Sequence, residues 1–447
     1  MKDLLLTILG CCIYIPWFVQ TARTPWKRTD WSRQWLLAML SLTGITILHI
    51  PSVMYICAGL TALSLAVYIL CTKPAFKATP ILIISIAYSL WFALSLLWSA
   101  SPRKGMIFII DNGMPMVLFA LTACVIRMEK EELITLLRTF CQATCIFIGV
   151  AVVSWLISCQ ETHIMPWDWP ILRKTDVENR YIYQWVFRFL GGMTNGYAHP
   201  SYNLLPIFMA GGIATWLRKE QKEPAPVWWI IWSGGLLLTL LTESRMGIIY
   251  SGILLSGYIL YLMPSRRWRI GATAVIILAS IIGMAATGDF WRQYGRDDIR
   301  HSLYADTWAY IQKKPLTGAG AGALNPIEIC HTIGKEYWPH VGYIAPEREV
   351  TDWPVKTRML PHNQWLADWA HGGLLAAILS ATLFIFTAIR CLRTRNYWGG
   401  IAWVIFVIFS VLEPTLYIGK GLYLFCWLYC LTYTPLIYQT YRADTPV

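Results

Sequence analysis

Apolar residues run in long stretches along almost the whole chain, separated by short polar connections. The stretches cover roughly residues 4–20, 35–50, 52–71, 80–98, 106–126, 139–158, 199–217, 227–242, 246–263, 270–287, 366–389, 398–414 and 421–440. A helix needs about 20 residues to cross a hydrocarbon core, so several of these sit at the lower limit. The stretch from Val227 to Met263 is too long for one crossing, and its only charged residues, Glu243 and Arg245, mark a tight turn between two helices. The pattern predicts an all-α polytopic membrane protein with about 12 core transmembrane helices plus an N-terminal one of open status. Residues 1–447 are read as a single integral membrane domain, with a large helical loop, 288–365, inserted between two of its helices.

Composition agrees with the pattern. Hydrophobic residues make up 56% of the 447 positions and charged residues 14%, and the mean hydropathy is +0.48. Soluble domains carry about one quarter charged residues, so this balance belongs to a membrane chain. The formal charge of +12 would suit nucleic acid. The basic residues nevertheless sit in short clusters between apolar runs, which is the mark of topology rather than of a DNA-binding face.

Six alternate connections collect these charges: Arg23/Lys27/Arg28/Arg33, Lys73/Lys77, Arg127/Lys130/Arg138, Arg218/Lys219/Lys222, Arg266/Arg267/Arg269 and Arg390/Arg393/Arg395. All fall on one side, which is therefore cytoplasmic, as is the C-terminus. The opposite side receives the turn at Thr242–Arg245 and two longer loops, about 159–198 and 288–365. Residues 4–20 admit three readings: an extra span with its N-terminus outside, an interfacial helix, or a signal-like segment. Lys2 is a thin basic lead and no small-residue cleavage site follows, which favours a retained helix. Most of the twelve cysteines lie within spans as small apolar residues; only Cys159 and Cys330 fall in the outer loops, where a disulfide is permitted. No Cys/His spacing suits a metal.

The loop 288–365 carries the most information. Asp297 through Gln312 reads as a helix, with Asp297 and Asp298 favouring its start and Lys313, Lys314 and Pro315 closing it. Tyr304, Trp308 and Ile311 form one apolar stripe, and Arg300 lies one turn before Tyr304 on the same side. A glycine-rich run, Gly318-Ala319-Gly320-Ala321-Gly322, follows, and the loop ends at Pro361-His362-Asn363.

The order Thr242-Glu243-Ser244-Arg245, then Arg300, then Pro315 with Gly318 and Gly320, then His362-Asn363 and Gly372-Gly373, resembles the O-antigen ligase superfamily. The superfamily also holds O-antigen polymerases and bacterial protein O-oligosaccharyltransferases. The resemblance runs from about residue 35 to the end in helix order, with its residue-level signal in 242–373. It implies a glycan donor on undecaprenyl diphosphate and transfer to an acceptor hydroxyl in the periplasm, at the bacterial inner membrane. In ligases that acceptor is the lipid A–core oligosaccharide of lipopolysaccharide, and no metal or nucleotide sugar takes part. The matching positions are Arg245, Arg300 and His362. The chain departs from the pattern in its extra N-terminal segment and in the long stretch between Gly322 and His362, which leaves the acceptor open.

The same chemistry follows from residue types. Breaking a sugar–diphosphate bond builds negative charge on the leaving lipid diphosphate, and guanidinium groups stay charged and grip phosphate oxygens in a fork. Arg245 stands at a span boundary, at headgroup height; a snorkelling arginine would stand there too. Arg300 in a solvated helix would be unremarkable alone. An acceptor hydroxyl must lose a proton as it attacks, and an imidazole takes it near neutral pH, which makes His362 the candidate base. Asn363 would orient that ring or bind sugar hydroxyls, and Ser244 and His199 join the candidate substrate-binding residues. A histidine at the boundary also serves as a plain anchor, and seven others occur.

Asp111 and Glu413 lie within or at the ends of spans, where acids are costly and usually paired or functional. Either would serve as counter-ion to Arg245 or Arg300, and a purely structural ion pair fits as well. The glycine run at 318–322 looks like a phosphate cradle, but it follows no strand, so tight packing is the better reading. Trp338 and Trp353 are candidates to stack on sugar rings. Three functions are compatible with these features: an inverting ligase, a polymerase or protein O-oligosaccharyltransferase with the same donor, or a lipid-glycan transporter. A transporter should show an internal repeat or paired broken helices with charges near the midplane. The chain shows no such repeat, its polar candidates gather toward one face, and the near match at His362-Asn363 favours the ligase.

Overall fold

The computed structural model describes residues 8–24, 31–49, 51–99, 101–161, 186–187, 200–242, 244–262, 265, 267–268, 270–272, 274–275, 298–322, 361–394 and 396–434; for residues 51, 200, 245, 259–262, 298–303 and 306 it describes the backbone alone. The described residues form helices and connections, without a strand. In chain order the helices are α1 (Ile15–Arg23), α2 (Trp31–Thr46), α3 (Pro51–Thr72), α4 (Pro80–Leu94), α5 (Pro102–Phe108), α6 (Met114–Val125) and α7 (Lys130–Glu161). They continue as α8 (Pro200–Glu220), α9 (Ala225–Thr242), α10 (Arg245–Leu262), α11 (Asp298–Lys313), α12 (Gln364–Arg393), α13 (Tyr397–Leu412) and α14 (Gly419–Tyr433).

Six candidate spans among the described residues are long and apolar enough to cross a membrane: Ser52–Thr72, Pro80–Trp98, Pro102–Val125, Lys130–Glu161, Ala225–Thr242 and Gln364–Arg393. This agrees with a polytopic helical protein. The twelve spans expected from the pattern exceed this set. Met246–Tyr258 and Tyr397–Leu412 are apolar but shorter, and most of 270–287 lies outside the described residues.

α14 is the hub. Every residue from Lys420 to Tyr433 is buried, as expected of a helix that is apolar all round. Trp427 donates through Nε1 to the carbonyl of Leu40 at 2.9 Å, and a Cβ at Gly44 would stand 2.7 Å from that indole. Phe425 meets Phe384 of α12 at 4.7 Å and Trp403 of α13 at 4.9 Å. Small residues let helices approach where the surrounding lipid offers no hydrophobic drive; at Gly234 of α9 a Cβ would come within 2.4 Å of Ile148 on α7.

The N-terminal segment joins the bundle as a helix. The Tyr14 hydroxyl and His49 Nδ1 share a hydrogen bond at 2.9 Å, Trp17 Nε1 donates to Ala38 O at 2.8 Å, and Gln20 Oε1 accepts from Ser41 and Thr139. The basic connections meet at one end of the bundle: Arg33 pairs with Glu132 at 2.7 Å, and Arg138 pairs with Glu223.

At the other end, α12 is broken. Gly373 has φ 72° and ψ −174° in the middle of the helix, so the carbonyls before it lose their helical donors. The glycine run supplies new ones: Ala319 N donates to Ala370 O at 2.9 Å and Gly320 N to His371 O at 2.8 Å. Leu374 N returns a bond to Pro315 O at 3.0 Å. Trp91 and Trp98 cap Gly372 O and Thr317 O through their indole N–H groups, and Ser95 and Ser99 hold both backbone groups of Ala321. Gly318, Gly320 and Gly322 all have positive φ. A Cβ on any of them would fall within 2.6 Å of backbone.

Gly373→Ala therefore combines a left-handed backbone with a Cβ placed 2.0 Å from Leu316 O. It is expected to cost about 2 kcal/mol or more and to lower the melting midpoint in detergent by several degrees. Gly149→Ala, at an open helical position on α7, should leave the midpoint unchanged or raised. Equal melting of the two variants would refute the packing assigned to the break.

Candidate functional site

Glu413 and Pro414 end α13. Pro414 disfavours helical geometry in the residue before it, and Glu413 turns extended with φ −149°. Its carboxyl points inward and is 2% exposed. Asn363 begins α12 as its N-cap: Oδ1 accepts from Leu366 N at 3.0 Å, while Nδ2 donates to Val411 O at 3.0 Å. One side chain thus starts α12 and ties it to the last turn of α13. This tether brings His362 to Glu413, with Nδ1 and Oε2 2.9 Å apart.

An ionised carboxylate only accepts, so this contact places the ring proton on Nδ1 and leaves Nε2 with its lone pair. The imidazole keeps 28% of its side chain exposed while the carboxylate is enclosed. A buried acid and a part-exposed ring oriented by it have the make-up of a general base backed by an anion that would stabilise an imidazolium. Tyr202 of α8 reaches the same carboxylate oxygen at 3.4 Å.

α11 closes over this pair. Tyr304 donates its hydroxyl to the backbone carbonyl of His362 at 2.5 Å, and Trp308 meets Trp369 edge-on at 5.5 Å. Helical register sets position 300 one turn before Tyr304, on the face turned to His362. The side chain of Arg300 lies outside the described residues, as does that of Arg245, the first residue of α10. α10 nevertheless flanks the site, because Tyr250 packs against Phe409 at 6.0 Å, one turn before Glu413.

The remaining expected residues divide clearly. Ser244 caps α10, its buried hydroxyl accepting from Gly247 N at 3.2 Å. Asp111 sits half exposed on a π-helical turn, Ile109–Gly113, and the side chains of its expected partners, Arg245 and Arg300, lie outside the described residues. The cradle-like glycine run has its amides engaged by the carbonyls of α12, which is the packing role read from the pattern. His199, Cys330, Trp338 and Trp353 lie outside the described residues, and Cys159 is buried in α7. Among the described residues no group of three or more His, Cys, Asp or Glu is placed to hold a metal.

A second buried acid was not anticipated. Asp368, fully enclosed one turn into α12, accepts from Tyr88 at 2.8 Å, Tyr417 at 3.0 Å and Gln364 at 2.8 Å. Burial and then the Asp368 carboxylate push the Tyr417 phenol well above its usual range, so it remains a donor. Asp368 falls within the predicted span 366–389, and the rule that singled out Asp111 and Glu413 applies to it equally.

Comparison with curated proteins gives no match to the chain. The family model described as O-antigen ligase matches residues 230–381. The matched stretch begins inside α9 and contains the 242–245 turn, α11, the glycine run, His362 and the break in α12. Members of this family are glycosyltransferase-like enzymes. The stretch that carries the His362 side of the site and its support is thus similar to the O-antigen ligase superfamily.

Proposed function

We propose that the protein is an O-antigen ligase: an inverting glycosyltransferase of the bacterial inner membrane that moves a glycan from undecaprenyl diphosphate to lipid A–core on the periplasmic side. The observation that carries this reading is the His362–Glu413 pair, a part-exposed imidazole held through one nitrogen by a buried carboxylate, with His362 inside the stretch that matches the family and Glu413 beyond it.

In this mechanism the acceptor hydroxyl oxygen attacks the anomeric carbon from the face opposite the diphosphate. Its proton passes to Nε2 of His362, and Glu413 stabilises the resulting imidazolium. The bond from the anomeric carbon to the diphosphate oxygen breaks, and the electron pair leaves on the lipid diphosphate. Arg245 and Arg300 receive that charge, which an arginine does without a proton transfer of its own. The family match and the position of the α11 face support this assignment of Arg300; the start of α10 beside α13 supports that of Arg245.

The test is transfer by the purified protein from undecaprenyl-diphosphate-linked glycan to purified lipid A–core, without added metal or nucleotide. Glycan is expected on lipid A–core. His362→Ala should lower kcat by about 10²- to 10⁴-fold and Glu413→Gln by roughly 10- to 100-fold. Arg245→Ala and Arg300→Ala should abolish transfer with membrane insertion intact. Donor that lengthens on its own carrier would replace the ligase with a polymerase. Full activity in His362→Ala would remove the base.

Orientation has its own check. A reporter active only in the periplasm should be active when fused near Trp338 and silent near Arg267. Activity at Arg267 would invert the topology and put the site on the wrong side of the membrane.

A further inference from the structure

The turn that presents Glu413 is held from behind. Thr415–Tyr417 forms a single 3₁₀ turn between α13 and α14. Two groups of this turn are tied to α12. Leu416 N donates to Gln364 Oε1 at 2.7 Å, and Tyr417 donates its hydroxyl to Asp368 Oδ1 at 3.0 Å. Within the turn, Thr415 N donates to Glu413 O at 2.9 Å and Tyr417 N to Pro414 O at 3.0 Å. The stretch from Glu413 to Tyr417 is therefore one hydrogen-bonded unit. It is docked on α12 at two points, both of which lead to Asp368.

The chemistry of these contacts fixes their direction. Asp368 Oδ2 accepts from Gln364 Nε2 at 2.8 Å, and a carboxylate cannot donate. The Gln364 amide must therefore turn its nitrogen to Asp368 and its oxygen to Leu416. Both residues are fully enclosed, so water does not substitute for either contact. Tyr88 of α4 adds to the shell from a third element, donating to Oδ1 at 2.8 Å, and the Ser380 hydroxyl is a further partner of the carboxylate. His362 stands two residues before Gln364 in the chain. A closed circuit results: His362 to Glu413, through the turn to Leu416, across Gln364, and back along α12.

We propose that Asp368 is a positioning residue of the transfer site, which acts by orienting the Gln364 amide and thereby holding the 413–417 turn so that Glu413 meets His362. The inference rests on the function proposed above. It assigns Asp368 no contact with substrate.

The circuit suggests a compensating pair. In Asp368→Asn the new amide NH₂ faces the Gln364 NH₂, donor against donor. If the Gln364 amide rotates to relieve this, its nitrogen then faces Leu416 N–H instead. Either orientation leaves two donors opposed; turning the new amide itself instead sets its NH₂ against the Tyr88 and Tyr417 hydroxyls and strands their protons in an enclosed site, so each arrangement costs the turn a tie. In the double variant Gln364→Glu/Asp368→Asn, the carboxylate moves to position 364. There it accepts from both the new amide at 368 and Leu416 N–H, while the amide oxygen at 368 still accepts from both tyrosines. Gln364→Glu alone instead sets two carboxylates against each other.

The experiment measures lipid-diphosphate-dependent transfer with the full-length protein in detergent, well below each variant's melting midpoint. Asp368→Asn and Gln364→Glu should each lower kcat by about 10-fold with an unchanged KM for donor, and the double variant should return to within about 3-fold of the parent. Because Asp368 acts through Glu413, Asp368→Asn should cost almost nothing further in a Glu413→Gln background. A merely structural role would multiply the two losses and raise KM together with any fall in kcat. Tyr417→Phe, a milder change, should show the same dependence on Glu413 at about 2- to 5-fold, and it serves if Asp368→Asn fails to fold. Multiplying losses or an unrescued double variant would overturn the positioning role while leaving the base in place. No transfer by the parent protein, or no loss in Glu413→Gln, would overturn the functional reading and this inference together.

Discussion

A helix that stops inside an apolar bundle leaves carbonyls that water cannot reach, and each must find a donor. α12 stops in this way at Gly373, and the answer comes from the glycine run in another part of the chain. Ala319 and Gly320 give their amides to Ala370 and His371. That exchange requires the run to lie flat on the broken helix with alternate residues at positive φ, which is why glycines occupy 318, 320 and 322. The run in turn follows α11 directly, so docking the run also docks the helix. Tyr304 then falls on the carbonyl of His362. The geometry at His362 is thus downstream of a backbone accounting problem some ten residues further along α12.

The two enclosed acids at this end of the bundle are stabilised by different means. Glu413 meets an imidazole, a partner able to become a cation, and so the pair can hold a proton that arrives during reaction. Asp368 meets two phenols, an amide and the Ser380 hydroxyl, neutral donors that satisfy its oxygens without offering a counter-charge. The first arrangement changes state easily and the second resists change. Placed on facing sides of one short turn, they combine a responsive group with a fixed support. In a low-dielectric setting such support matters, since a misplacement of an ångström weakens the contact that orients the ring.

Much of this was legible in the sequence, for reasons that differ by residue. The six candidate spans follow from apolar length alone, and the helix over 298–313 follows from its acidic start, its stripe and Pro315. His362 and Asn363 stood out through their place in an ordered set at a span boundary. The packing role of the glycine run could be argued because no strand precedes it. The partner of His362 could not: Glu413 was visible as a costly acid, but only the tether from Asn363 to Val411 shows which charge it faces. Ser244 read as a ligand candidate because a cap and a binding hydroxyl have the same sequence signature next to an arginine. Asp368 was missed although the spacing to Gln364 is one helical turn, since a residue counted as inside a span draws notice only when its polarity is weighed position by position.

Residues 323–360 connect two points that the fold holds firmly. At one end Gly322 lies against the backbone of Lys104 and Gly105; at the other Pro361 is buried beside the capped start of α12. The entropy of closing a loop rises only slowly with its length, so a long insertion between fixed ends costs the framework little. His362, Glu413 and the turn behind them therefore need not change when this stretch does. Under the proposed function, such a framework would keep its geometry whatever length of chain joins Gly322 to His362. The part of the chain that departs most from the family pattern is the part whose variation this framework tolerates best.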